Sequence, residues 1–153
     1  MITIKFDKPV IVILIACFAT IPYEIFTRIL LFFGYGKYSL YQLNSFVVTI
    51  TENRPDVVMG FIVSSAVGGV YGLLFYYSLE KLGTDYLILK AIFSSIFVWV
   101  ILELVFTSTI EGKTISLRPI SDYYGKMLGS IIYGITLGVL FRILLFKKLI
   151  SKY

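Results

Sequence analysis

Residues 57–79 read VVMGFIVSSAVGGVYGLLFYYSL, without one charged side chain. Wound as a helix at about 1.5 Å per residue, that stretch is long enough to cross a hydrocarbon core about 30 Å thick. Three further apolar stretches of comparable length occupy 10–33, 86–106 and 124–146. The composition agrees: 58% hydrophobic and 15% charged residues, with a mean hydropathy of +0.90, is far from a soluble domain. The expected fold class is all-α, a polytopic membrane protein built as a four-transmembrane-helix bundle. The connections, chiefly 34–56 and 107–123, are too short for a soluble domain, so residues 1–153 form a single integral membrane domain.

The same composition excludes several chemistries. The sequence holds no histidine and one cysteine, Cys17, inside the first apolar stretch. Triads, most zinc sites, haem ligation and an intrachain disulfide are thereby ruled out, and neither a metal nor any cofactor is expected. The net charge of +5 does not point to nucleic acid, because the basic residues sit at span ends and tails, facing lipid headgroups. The lipid bilayer is the expected partner. Leu14-Ile15-Ala16-Cys17 is similar to the lipobox of bacterial lipoprotein signal peptides. The apolar run continues beyond Cys17 to Tyr23, however, and the favoured reading is a first transmembrane helix.

An even number of spans puts both termini on one side. With the termini cytoplasmic, the inner side holds Lys5, Lys8, Lys81, Lys147, Lys148 and Lys152, with Lys90 and Arg142 near the inner helix ends. The outer side holds Lys37, Arg54, Lys113 and Arg118, with Arg28 and Lys126 near that interface. The positive-inside rule favours this arrangement, a multi-pass protein of the cell membrane, as in a bacterial plasma membrane. Tyr23, Tyr35, Tyr38, Tyr41, Tyr76, Tyr77, Tyr86, Tyr123 and Tyr124 read as an aromatic belt. The charge-free outer segment 38–51, YSLYQLNSFVVTIT, reads as an interfacial amphipathic helix or a lid over the bundle. A re-entrant path is less favoured, since it needs protein on all sides. The second outer connection reads as an ordinary polar, turn-rich loop.

Gly60, Ser64, Gly68 and Gly72 recur at every fourth residue of the second span, on one slowly drifting face. Gly125 and Gly129, then Ser130, Gly134 and Gly138, repeat the theme in the fourth. Small residues let helix backbones approach closely in lipid. Packing inside the bundle is favoured; a homodimer seam and close approach to a ligand stay open. The two spans share more. Arg54-Pro55-Asp56 precedes one and Arg118-Pro119, with Asp122, the other. Gly72-Leu73-Leu74-Phe75 parallels Gly138-Val139-Leu140-Phe141, and Lys81 and Lys147 follow at equal distance. With Glu24 in the first span and Glu103 in the third, the pattern suggests a duplicated helical hairpin.

Ionisable groups inside a membrane helix are costly and call for a reason. Glu24 and Arg28 are spaced for an intrahelical ion pair, with Pro22 expected to kink the helix beside them. Glu103 has no charged residue three or four positions away. It must find a cation on another element, reach headgroups, or be protonated. The candidate polar site is therefore Glu24, Arg28 and Glu103 with Arg54 or Arg118. Catalytic residues are not expected: no span holds an aspartate, and no nucleophile elbow or phosphate-binding loop is present.

In residues 70–106 and 131–138 the chain resembles the small four-helix membrane proteins of the YqhR type found in Firmicutes. The resemblance is carried by Leu74-Phe75-Tyr76-Tyr77-Ser78-Leu79-Glu80-Lys81, by Phe97-Val98-Trp99-Val100, and by Ile132-Tyr133-Gly134 with Gly138. Ser94 and Ser95 stand where that family tends to have glycines. The resemblance implies four spans and a Gram-positive setting but no mechanism. The function expected from the residues is a non-enzymatic one, exerted by helix packing with itself or a membrane partner. The alternative is a small transporter or channel with a polar site near the outer interface.

Overall fold

The computed structural model describes residues 7–49 and 54–146. Lys5, Lys147, Lys148, Lys152 and the end of segment 38–51 lie outside the described residues. The order is α1 (Lys8–Phe32), α2 (Leu40–Ser45), α3 (Val57–Leu82), α4 (Leu87–Thr109) and α5 (Ile120–Leu144), and the described residues contain no strand. α1, α3, α4 and α5 are each long and apolar enough to cross a membrane. The fold is an all-helical four-helix bundle.

Local chemistry sets the helix ends. α1 has a proline at its start and runs unbroken through Cys17 and Pro22. The Asp56 carboxylate accepts the N–H groups of Val58 (2.8 Å) and Met59 (3.0 Å), capping α3. Gly83, at φ +72°, ends α3, and Lys90 Nζ donates to the freed carbonyls of Leu82 (2.8 Å) and Gly83 (3.0 Å). α5 starts at Ile120, behind Pro119, rather than at the expected residue 124, and therefore contains Asp122. The expectation that no span holds an aspartate fails there. Hydropathy put the boundary too late because Asp122 has its charge satisfied within the protein.

Around the bundle the order is α3, α1, α5, α4: α1 packs on α3 and on α5, and α5 packs on α4. Each small residue of the sequence pattern turns inward. A Cβ at Gly68 would lie 3.3 Å from Thr20 Cγ2, and one at Gly72 2.5 Å from Ala16 Cβ, both on α1. Gly60 lies against the Tyr41 carbonyl and Ser64 Oγ accepts from Asn44 Nδ2 (2.7 Å), both on α2. Gly125 and Gly129 face Leu30 and the Tyr23 ring of α1, whereas Gly134 and Gly138 face Ser95, Ala91 and Ile88 of α4.

The two hairpins repeat one packing scheme. Thr20 and Ala16 meet Gly68 and Gly72 in the first; Ser95 and Ala91 meet Gly134 and Gly138 in the second. Phe75 and Phe141, buried and paired in the sequence pattern, stack on each other at 5.9 Å. In this register Trp99, one turn beyond Ser95, takes the place of Glu24, one turn beyond Thr20. Glu24 and Glu103 are thus not equivalent positions. The symmetry also breaks at one seam. α5 approaches α1 over Gly125 and Gly129, but α3 and α4 make little contact despite the short link between them.

Within segment 38–51, α2 packs into one end of the bundle, the placement expected of a lid. α2 dips between the helices, with Ser39, Leu43, Ser45 and Phe46 at most 5% exposed. The Tyr41 hydroxyl reaches Thr20 Oγ1 (3.0 Å), which by helical rise is about 18 Å from the end of α1. α1 and α3 flank the segment, and Phe106, Ile110 and Ile115 form a small second core with Leu43 and Phe46. Protein therefore encloses most of residues 39–46, whereas Val47 and Val48 are half exposed.

Candidate functional site

α2 is held in place from α1. The Glu24 carboxylate accepts from Arg28 Nε (2.6 Å) with one oxygen and from the Tyr41 N–H (2.9 Å) with the other. Thr27 Oγ1 accepts the Leu40 N–H (3.0 Å). The first turn of a helix has unpaired N–H groups, and here two membrane-helix side chains supply the acceptors. The Ser39–Gln42 capping box completes the turn. Glu24 and Arg28 form the expected intrahelical pair, with Glu24 buried and Arg28 half exposed. Their added role in anchoring α2 was not legible from the spacing.

Beside this anchor lies a buried charge cluster centred on Arg118, whose side chain is fully enclosed. Its Nη2 donates to Glu111 Oε2 (2.8 Å) and to Glu103 Oε1, and its Nη1 to Asp122 Oδ2 (3.2 Å). The Arg118 N–H donates to Glu111 Oε1 (2.6 Å). The guanidinium lies 4.5 Å from the Tyr123 ring centre and 5.2 Å from that of Phe106. A planar fork that stacks on rings while serving several carboxylates is arginine's geometry, not lysine's. Asp122 Oδ1 in turn accepts the Lys37 N–H (3.0 Å) and lies 4.0 Å from Lys126 Nζ, which donates to the Tyr38 carbonyl. Burial by itself pushes the Glu111 carboxyl up, but its bonds to Arg118 outweigh this and hold it below the usual carboxylate range.

The expected polar site is thus split. Glu103 and Arg118 meet; Glu24 and Arg28 pair separately. Arg54 joins neither, since it is exposed and makes no ion pair among the described residues. Glu111, Asp122 and Lys126 complete the cluster and were not singled out as its members. The run Arg118, Asp122, Lys126, at steps of four, was the available signal. The second connection is therefore no ordinary loop: Glu111 and Arg118 are buried in it, and Gly112, at φ +76°, makes the turn that joins them. Tyr23, Tyr41 and Tyr76 are likewise buried rather than in a belt. Tyr23 Oη donates to the Lys126 carbonyl (2.8 Å).

Where α3 and α4 part, a cleft of about 120 Å³ remains. Ser64, Val67, Gly68 and Tyr71 of α3 face Ser95, Val98, Trp99, Leu102 and Glu103 of α4 across it. Thr20, Tyr23, Lys126, Ser130 and Tyr133 from α1 and α5 complete its lining, and Leu40, Leu43 and Asn44 of α2 close one end. Val67 and Leu102 are exposed on the outer face of the bundle, so the cleft opens sideways between the helices. The Trp99 indole N–H and the Tyr133 hydroxyl are buried and find no partner among the described residues. An apolar groove of about 360 Å³ along Ala66, Val67, Val70, Leu74 and Val98 leads away from the same lip.

Neither family models, nor curated proteins, nor solved structures offer a match to this chain.

Proposed function

We propose that the protein is a non-catalytic membrane protein that holds a small bilayer-soluble molecule in the cleft between α3 and α4. The observation that carries this reading is the missing helix seam. Three neighbouring helix pairs close over small residues, while the fourth stays apart and leaves two polar groups without partners. Buried polar groups are normally satisfied, and exceptions call for an explanation such as a ligand. The Arg118 cluster and the α2 anchor act as the rigid frame at one end of the cleft. The use of the small-residue faces between helices of one chain supports an internal packing role, and the reading takes the protein as a monomer in the bilayer with both termini cytoplasmic.

Native mass spectrometry of the detergent-solubilised chain tests this. The expected spectrum is a monomer carrying one small apolar adduct, lost in Val67→Phe and Val98→Phe, which fill the lip from opposite sides. An adduct unaffected by both substitutions would sink the reading, and a stable dimer would sink its monomer part. The transport alternative keeps one support: Glu103 reaches both an arginine and the cleft lining. Glu24 reaches an arginine but does not line the cleft, so the paired-carboxylate pathway lacks its second member.

A further inference from the structure

We infer that the cleft selects a molecule with one flat ring bearing hydrogen-bond acceptors, joined to an apolar tail: the chemistry of a prenylated quinone. The inference rests on the cleft-binding reading above and names its ligand class.

Size sets the first limit. A cavity of about 150 Å³ with apolar walls accommodates one benzene ring, so 120 Å³ suits a single ring and is too small for a phospholipid headgroup. Depth sets the second. Trp99 lies near the middle of α4 and Tyr133 near the middle of α5, the level at which a charged headgroup is most costly. A neutral ring with carbonyl oxygens avoids that cost.

Hydrogen-bonding capacity then sets polarity. Indole N–H is a donor only, and a phenol donates readily. Both groups here are buried without partners, so each gains from an acceptor and the indole gains nothing from a donor. The Tyr133 hydroxyl stands 3.5 Å from where a Gly68 Cβ would lie; the glycine keeps that space clear. Lys126, also in the lining, is already committed to the Tyr38 carbonyl. Tyr71, its ring tilted at 43° to that of Tyr133 with centroids 5.8 Å apart, adds an aromatic wall to the cleft. The tail has a path as well, since the apolar groove shares Val67, Tyr71 and Val98 with the cleft.

Trp99 is the protein's one tryptophan, so its emission reports on the cleft directly. The probes are a decyl-substituted benzoquinone, which quenches indole emission, and a ring-brominated decylbenzene, which quenches too but lacks acceptors. In the solubilised full chain the quinone should quench saturably, and the bromoarene should bind about tenfold more weakly, the scale of one net hydrogen bond. Tyr133→Phe should weaken the quinone alone, by about threefold to tenfold. Val67→Phe, or Val98→Phe if the first fails to fold, should abolish saturable quenching by either probe. Equal affinities for the two probes, both lost on filling the lip, would overturn the acceptor requirement and leave the cleft reading standing. Quenching that survives both lip substitutions would overturn the two together.

Discussion

Arg118 concentrates the polar chemistry of this chain at one atom group. Three carboxylates, from Glu103, Glu111 and Asp122, converge on its guanidinium, so Glu103 is explained by a cation fifteen residues away in sequence. The absence of a local partner was legible; the identity of the distant one was not, because it depends on the turn at Gly112. Glu111 gives this arrangement a pH signature. Its folded-state pKa is depressed from 4.5, so its stabilisation is complete above the unfolded value and is lost as pH falls through the folded value. The melting temperature of the solubilised protein should be level from about pH 7 to about pH 5.5 and drop below about pH 4.5. Glu111→Gln should lower it at neutral pH, because Arg118 keeps Glu103 and Asp122 but loses charge-assisted hydrogen bonds worth about 1.5–3 kcal/mol, and should flatten the acid drop. An acid profile unchanged in Glu111→Gln would remove the residue from the cluster's energetics.

At the scale of elements, α2 is what the sequence concealed. Its Ser39-Leu40-Tyr41-Gln42 start is a capping box that could be read directly. Its destination could not, since a charge-free aromatic segment fits an interface as well as a bundle interior. The discriminating feature is Gly60: with no side chain there, the Tyr41 carbonyl rests on the α3 backbone. A methyl group would collide with backbone atoms that cannot rotate away. Gly69 offers the control, because a Cβ there meets only the Ile13 side chain, at 3.2 Å. Gly60→Ala should therefore cost more than the roughly 1–3 kcal/mol of ordinary overpacking and should speed amide exchange across residues 39–46. Gly69→Ala should stay within about 1 kcal/mol of wild type. Equal effects of the two would mean that α2 does not seat against Gly60.

Over the whole molecule, the four spans and the inward use of their small residues follow from composition and four-residue spacing, which lipid makes decisive. The open seam does not follow from those signals. It arises from which glycines are missing: α5 presents Gly125 and Gly129 to α1, but α3 has Met59 and Val63 at the positions matching them in the repeated packing scheme. Without small residues there, α4 cannot close on α3, and α2 fills only one end. The proposed orientation in the membrane rests on a separate signal, the excess of basic residues on the side of the termini. Single-cysteine labelling in intact cells tests it, starting from Cys17→Ser so that the half-buried native thiol does not report. With the termini cytoplasmic, Lys113→Cys should react with a membrane-impermeant maleimide, and Thr84→Cys, in the exposed α3–α4 link, should react only after the cells are opened. The reverse pattern would place the α2 end of the cleft on the cytoplasmic side. A molecule would then enter from the other leaflet, while the cleft's lining and its two unpartnered groups would be unchanged.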